Sequence, residues 1–188
     1  MRVVVFGGRG FLGSHVADAL SETGHAVTVF DVKDSPYLRP DQTGIVGDIL
    51  DTEQVTVAVK GCDVVYNFAG IADIEEANSR PLDTVQINIL GNTVLLEAAR
   101  RERVKRFVFA SSLYVYSEGG SFYRSSKQAC ELLVENYREA YGLPYTVLRY
   151  GSLYGDRTDH RNWVYRILQQ ALTEGRIVRY GDGEEVRE

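Results

Sequence analysis

The sequence predicts a doubly wound α/β domain, a parallel sheet covered by helices on both faces. Three observations carry that prediction. Short β-branched runs alternate with longer amphipathic stretches, the mark of repeated strand–helix–strand units. Several of the short runs are almost wholly apolar, as strands buried on both faces must be. The 188 residues, 44% apolar and 25% charged, suffice for one folding unit with a real core, and four prolines are too few to punctuate a multidomain chain.

The elements follow in order. Strand 3–6 is Val-Val-Val-Phe and runs straight into a glycine loop, after which helix 11–22 opens. Strand 26–30 ends at Asp31, strand 44–46 precedes Asp48-Ile49, and helix 52–60 comes next. Strand 64–68 leads to helix 83–102, where Val85, Ile89, Val94, Leu95, Ala98 and Ala99 recur at helical spacing. Strand 107–110 runs to Ser111-Ser112, helix 124–141 begins beside Tyr123 and Lys127, and strand 145–148 and helix 160–174 complete the pattern.

Charge and composition exclude several classes. The net charge is -5, with 21 basic against 26 acidic residues, which provides no general attraction to nucleic acid or anionic lipid. The basic run from Arg100 to Arg106 sits at a helix end, where the dipole favours cations. Cys62 and Cys130 lack metal-type spacing and are expected as reduced thiols, and His15, His25 and His160 are scattered, so no metal is expected. The apolar N-terminal run is too short for a signal-peptide core and no segment is long enough to span a membrane, so a cytoplasmic protein is expected.

The 18 glycines matter by position. Gly7, Gly10 and Gly13, in Gly7-Gly8-Arg9-Gly10-Phe11-Leu12-Gly13, follow the first strand and open a helix. The first permits a sharp turn, the second lets backbone approach a pyrophosphate, and the third lets helix and strand pack closely. Free N–H groups and the helix dipole make an anion site there. This strand–turn–helix context marks a Rossmann-type dinucleotide site. Asp31, at the end of the second strand, can accept from both hydroxyls of an adenosine ribose and would repel a 2'-phosphate, favouring NAD over NADP, with Lys33 nearby softening that preference. Asp48-Ile49 either bracket an adenine by carboxylate and apolar face or form an ordinary loop.

Tyr123 and Lys127 lie four apart on one helix face. A tyrosine titrates near about 10, too high for a base at neutral pH, and a neighbouring ammonium together with an oxidised nicotinamide would pull that value down. Ser111-Ser112 end the fifth strand, and ligands of open α/β sheets bind beyond the carboxyl ends of strands. A serine there can hold a substrate hydroxyl or carbonyl while Tyr123 moves the proton.

These residues resemble the extended short-chain dehydrogenase/reductases, specifically the NAD-dependent nucleotide-sugar epimerases and dehydratases of the UDP-glucose 4-epimerase type. The resemblance spans essentially the whole chain. It rests on Gly7/Gly10/Gly13, Asp31, Asp48-Ile49, Asn67-Phe68-Ala69-Gly70, Asn88, Ser111-Ser112 with Val115-Tyr116, Tyr123 with Lys127, Leu148-Arg149-Tyr150 and Tyr154-Gly155. It implies a bound NAD that oxidises a sugar carbon and often returns the hydride after rearrangement, a nucleotide-sugar substrate and a homodimer. Tyr123 would be the base, Lys127 would lower its pKa and hold the nicotinamide ribose, and Ser112 would orient the reacting oxygen. Phe11, Leu12, Phe68, Ala69, Gly70, Asn88, Ser111 and Tyr150 would join the glycines, Asp31, Asp48 and Ile49 around the cofactor.

Three features depart from the family. The Ser112–Tyr123 interval is short, with Ser117-Glu118-Gly119-Gly120-Ser121 replacing a longer loop. Ser152 stands where the family has an asparagine that meets the nucleotide sugar. Relatives continue well beyond residue 188, so residues 1–188 are expected to be one NAD-binding domain, with about 150–188 the start of a truncated substrate-binding part. Arg157 and Arg161 either clamp a diphosphate or are solvated. Two alternatives remain at this level: a reductase of another carbonyl compound, and an NAD-binding module without turnover.

Overall fold

The computed structural model describes residues 1–178, which fall into two compact units, Met1–Arg149 and Tyr150 onward. Six strands, β1 (Arg2–Phe6), β2 (Ala26–Asp31), β3 (Gln42–Val46), β4 (Val64–Asn67), β5 (Arg106–Ser112) and β6 (Tyr145–Tyr150), form one sheet in the order β3-β2-β1-β4-β5-β6. Every pairing from β3 through β5 is parallel. The chain leaves β1 first to one side and then to the other, so the topological switch lies between the ends of β1 and β4, where open sheets bind ligands.

The apolar strands are covered on both faces, as their composition requires. Val4 and Phe6 face one layer, packing with Phe30, Val65, Phe107 and Phe109 against Val55, Leu95, Leu96 and Val134. Val3 and Val5 face the other, with Val27, Val29, Val64 and Val108 against Ala17 and Leu20. The helices are α1 (Phe11–Glu22), α2 (Thr52–Val59), α3 (Ile74–Ser79), α4 (Pro81–Thr84), α5 (Gly91–Arg101), α6 (Ser121–Tyr141) and α7 (Trp163–Glu174).

The structure departs from the predicted elements in physically readable ways. The single helix predicted over 83–102 starts at Pro81 and contains a π-helical turn, Val85–Leu90, before α5. Proline suits a first helical position, where its missing N–H has no partner to lose. The short α3 is absent from the sequence-based pattern, although Asp73 marks it by accepting from the Glu76 N–H at 2.8 Å. A 3-10 turn over Leu113–Tyr116 follows β5, started by the Ser112 hydroxyl accepting from the Tyr114 N–H at 3.3 Å.

In the second unit, Asn162 caps α7 by accepting from the Val164 and Tyr165 N–H groups at 2.9 and 3.2 Å, so the helix begins at Trp163 rather than at 160. Of the residues that sequence marks as a packing face of this helix, Trp163, Val164, Ile167 and Leu168, the second and third are half-buried and the first and last are exposed. Val186-Arg187-Glu188, which by sequence look like the lead into another strand, lie outside the described residues. Among the described residues no helix is long and apolar enough to cross a membrane, and no His/Cys/Asp/Glu group could hold a metal ion.

Candidate active site

The glycine loop owes its shape to crowding. Gly7 has φ +76° and donates its N–H to Phe30 O at 2.9 Å; a Cβ there would lie 2.5 Å from the Ala69 nitrogen. A Cβ on Gly13 would lie 2.3 Å from the Gly7 carbonyl oxygen. Gly10 is different, with only one neighbour at 3.3 Å, so its open side faces outward from the turn. Gly10 is also the N-cap of α1, contributes no side-chain hydrogen bond, and is followed by a first turn without acid. An α-helix leaves its first N–H groups without intrahelical acceptors. The donors of Phe11, Leu12 and Gly13 therefore sit at an uncapped positive helix end, which fits the pyrophosphate of a dinucleotide.

Asp31 closes β2 beside that loop, where its Oδ2 accepts from the Arg9 N–H at 3.0 Å. The Arg9 Nε donates to the Asp34 carbonyl at 2.9 Å, which pins the arginine along the same edge. Asp48 is exposed and spends one oxygen on the Leu50 N–H at 2.9 Å. Its neighbour Ile49 turns into the core, 6% exposed, against the position where a Gly91 side chain would be.

The segment after β4 lies alongside the glycine turn. Phe68 donates its N–H to Phe6 O at 2.9 Å, and Ala69 donates to Asn67 Oδ1 at 3.1 Å. Gly70 approaches so closely that a Cβ would lie 2.8 Å from Asn88 Oδ1. Asn88, in the π-helical turn, is 4% exposed and uses its whole amide on protein. Its Oδ1 accepts from the Ile71 N–H at 2.7 Å, and its Nδ2 donates to Ile71 O at 3.0 Å and to Ser126 Oγ at 2.9 Å. It thus fastens Ile71, which follows the Phe68–Gly70 segment, to α6.

Ser111 and Ser112 end β5, and Tyr123 and Lys127 stand on the first two turns of α6; all four are buried. The Ser112 hydroxyl lies close enough to the Tyr123 phenol to favour its ionised form, and the Tyr123 ring meets Tyr114 edge-on at 6.3 Å. The Lys127 Nζ donates to Ala110 O at 2.8 Å and lies 4.9 Å from the Phe109 ring centroid and 5.7 Å from that of Tyr123. In the chain without cofactor, burial governs the electrostatics of both groups. Burial pushes the Tyr123 phenol above its ordinary value, the Ser112 hydrogen bond pulls against it, and Tyr114 adds to the rise. Burial also brings the Lys127 ammonium down to about 8, with Cys130 and Glu131 opposing. In the chain by itself, exclusion of water is the largest influence on both groups.

That shift has a measurable sign. A lysine at about 8 in the fold and 10.5 in the unfolded chain binds fewer protons when folded between those values. Its contribution therefore becomes more favourable as pH rises through that window. Urea midpoints of wild type and Lys127→Met, measured from pH 8 upward, should diverge in favour of wild type. A difference that does not change with pH would place the ammonium in a solvated setting.

One group beside these was not singled out from sequence. Glu131 stands one turn beyond Lys127 and is buried, bonded to Ser111 and to Arg149. Its spacing of four from Lys127 is the signal that could have found it. Tyr150 closes β6 at the start of the second unit. Within that unit Arg161 is paired with Asp159 at 2.7 Å.

Comparison with known proteins adds the following. The NAD dependent epimerase/dehydratase family matches residues 3–188. A curated relative, UDP-N-acetyl-alpha-D-glucosaminuronate decarboxylase of Bacillus cytotoxicus, is 30% identical over 99% of this chain and 66% of its own length. The solved UDP-glucose 4-epimerase of Thermotoga maritima, bound to UDP-glucose, superposes with a TM-score of 0.91 at 31% identity, covering 100% of this chain and 68% of that one. The UDP-glucose 4-epimerase of Thermus thermophilus, solved with NAD, gives 0.84 at 30% identity over 93% and 63%. The chain thus spans about two thirds of the length of such relatives.

Proposed function

The chain belongs to the NAD-dependent epimerase/dehydratase family, and on that premise we propose that it binds NAD and acts on a nucleotide-activated sugar. The observation that carries the proposal is the buried Ser112–Tyr123–Lys127 group at the end of β5, in the same unit as the uncapped glycine loop. Gly7, Gly10 and Gly13 with the N–H groups of Phe11 and Leu12 would hold the pyrophosphate, and Asp31 the adenosine ribose. Asp48, Ile49, Phe68, Ala69, Gly70, Asn88, Ser111 and Tyr150 belong to the same cofactor reading, with Asn88 acting through the segment it fastens. NAD, when bound, supplies a reversible hydride acceptor.

The chain's own groups do the rest. Ser112 holds the reacting oxygen of the sugar. Tyr123 takes the proton from that hydroxyl and gives it back. Lys127 favours the phenolate by its charge, provided the site remains dry enough for that charge to be felt. Because burial raises the phenol in the chain alone, the positive charge of an oxidised nicotinamide is needed to complete the activation. Residues 1–188 form one NAD-binding domain in this reading, with 150 onward the start of a substrate-binding part. A homodimer is supported by the exposed Leu82, Val85, Leu90 and Leu132 on neighbouring helices, and a cytoplasmic setting by the two free thiols.

The test begins with calorimetric titration. Wild type should bind NAD in preference to NADP, and Asp31→Ala should weaken NAD by about 1–3 kcal/mol as the ribose loses its acceptor. Proton NMR of UDP-hexoses incubated with the chain and NAD then looks for interconversion. No binding of either dinucleotide would overturn the cofactor reading; binding without any sugar turnover would overturn the activity.

A further inference from the structure

Glu131 is fastened on three sides. It lies on α6, on the face that carries Tyr123 and Lys127, and its side chain is 10% exposed. Its Oε1 accepts from the Ser111 hydroxyl at 2.5 Å. Arg149 on β6 grips it with two prongs, Nε to Oε1 at 3.0 Å and Nη2 to Oε2 at 2.6 Å. The other terminal nitrogen of Arg149 donates to the Tyr116 hydroxyl, and the guanidinium carbon lies 5.0 Å from the Tyr116 ring centroid. Burial would raise the Glu131 carboxyl, but the hydrogen bonds from Arg149 and Ser111 outweigh it and keep the group ionised.

Ser112 lies inside this set of ties. Ser111 precedes it and is held by Glu131; the turn ending at Tyr116 follows it and is held through Arg149. Tyr123, whose phenol lies near the Ser112 hydroxyl, stands on the helix that supplies Glu131. The path from Tyr123 through Ser112 and Ser111 to Glu131 and back along α6 is therefore closed. The pair is buried only on the Glu131 side, so it adds little net stability, yet a two-pronged arginine–carboxylate contact fixes direction and distance well. We propose that Glu131 is a positioning residue that sets the Ser112 hydroxyl against the Tyr123 phenol by holding both flanks of Ser112. The inference rests on Ser112, Tyr123 and Lys127 being the reacting groups.

Two variants of the full chain test it. Glu131→Gln keeps the shape and loses the charge; Arg149→Lys keeps the charge and loses the fork, and serves if the first folds poorly. With a UDP-hexose, kcat should fall about 10²-fold, the usual cost of misplacing a reacting group, while KM and NAD affinity stay within about twofold. A fall in NAD affinity and thermal midpoint that accounts for the lost kcat would reduce Glu131 to scaffolding and overturn the proposal. A second readout needs neither NAD nor turnover: the titration of Tyr123 followed by NMR of ring-labelled tyrosine, assigned by its loss in Tyr123→Phe. The groups around the phenol are Ser112, the Tyr114 phenol and Lys127, which at about 8 is already neutral where the phenol titrates. Removing the negative charge of Glu131 would by itself move the Tyr123 midpoint down. A shift upward reports the loosened Ser112 hydrogen bond and supports the proposal; a midpoint that falls or stays overturns it. If wild type turns over no nucleotide sugar, the activity reading fails and this titration alone decides the role of Glu131.

Discussion

Replacing Tyr123 by phenylalanine should lower kcat on a nucleotide sugar by about 10²- to 10⁴-fold, the range that a positioned proton carrier contributes. NAD affinity should change by no more than about twofold, because the substitution removes one hydroxyl and leaves the ring in its packing. The ring is held by contacts that phenylalanine keeps: it lies with Ile71 and Ala77 in a small apolar cluster and meets Tyr114 edge-on. Stability should hardly fall, since the hydroxyl is buried at some cost and its partner Ser112 retains the Tyr114 N–H. The loss would then lie in kcat with binding intact, the pattern of an interaction made only in the transition state. Ser112→Ala should show a weaker version of the same pattern. Steady-state kinetics, calorimetry and a thermal melt on one preparation separate the cases. A Tyr123→Phe chain that keeps a tenth or more of wild-type turnover would remove the phenol from the chemistry.

What the sequence made legible follows from how local each signal is. The β1 run and its glycine loop were readable because strand, turn and helix start are consecutive, and the structure's steric account of Gly7 and Gly13 matches the spacing. Edge strand β3 was readable only in part. Its first two residues, Gln42 and Thr43, are polar, Gln42 half-buried against Asp18 and Ser21 of α1 and Thr43 exposed, so hydrophobicity marks only the later residues. The π-helical turn could not be read at all, because helical periodicity survives one wide turn, and the partners of its buried Asn88, Ile71 and Ser126, lie 17 and 38 residues away. The same distance hid Glu131. Its spacing from Lys127 was visible, but the arginine that holds it comes from another strand. The rise of the Tyr123 phenol in the chain alone was not legible for a related reason, since pattern reveals which charge is near and not how dry the neighbourhood is.

Gly13→Ala should abolish dinucleotide binding and destabilise the fold together, whereas Gly10→Ala should abolish binding alone. At Gly13 the added Cβ would meet the Gly7 carbonyl oxygen at 2.3 Å and the Gly7 carbon and Gly8 Cα at 2.9 Å. All three are backbone, so no side chain can swing aside. Gly7 cannot retreat either: it holds φ +76°, donates to Phe30 and already lies against Ala69 and Phe68 on its far side. The helix must therefore lift from the strand, which costs at least about 1–3 kcal/mol as overpacking. For a domain of this size each kcal/mol lowers the thermal midpoint by about 2–4 °C. The same displacement carries away the N–H groups of Phe11 and Leu12, so NAD affinity should fall at least about 10²-fold, or roughly 2.7 kcal/mol. Gly10 supplies the contrast, because its Cβ would meet nothing nearer than 3.3 Å and would project where a pyrophosphate has to come close. Its melt should stay within a few degrees of wild type while its calorimetric titration goes flat. Equal stability and equal NAD affinity in Gly13→Ala would mean that α1 does not pack on the turn this closely. Binding retained in Gly10→Ala would mean that the dinucleotide does not lie against this loop.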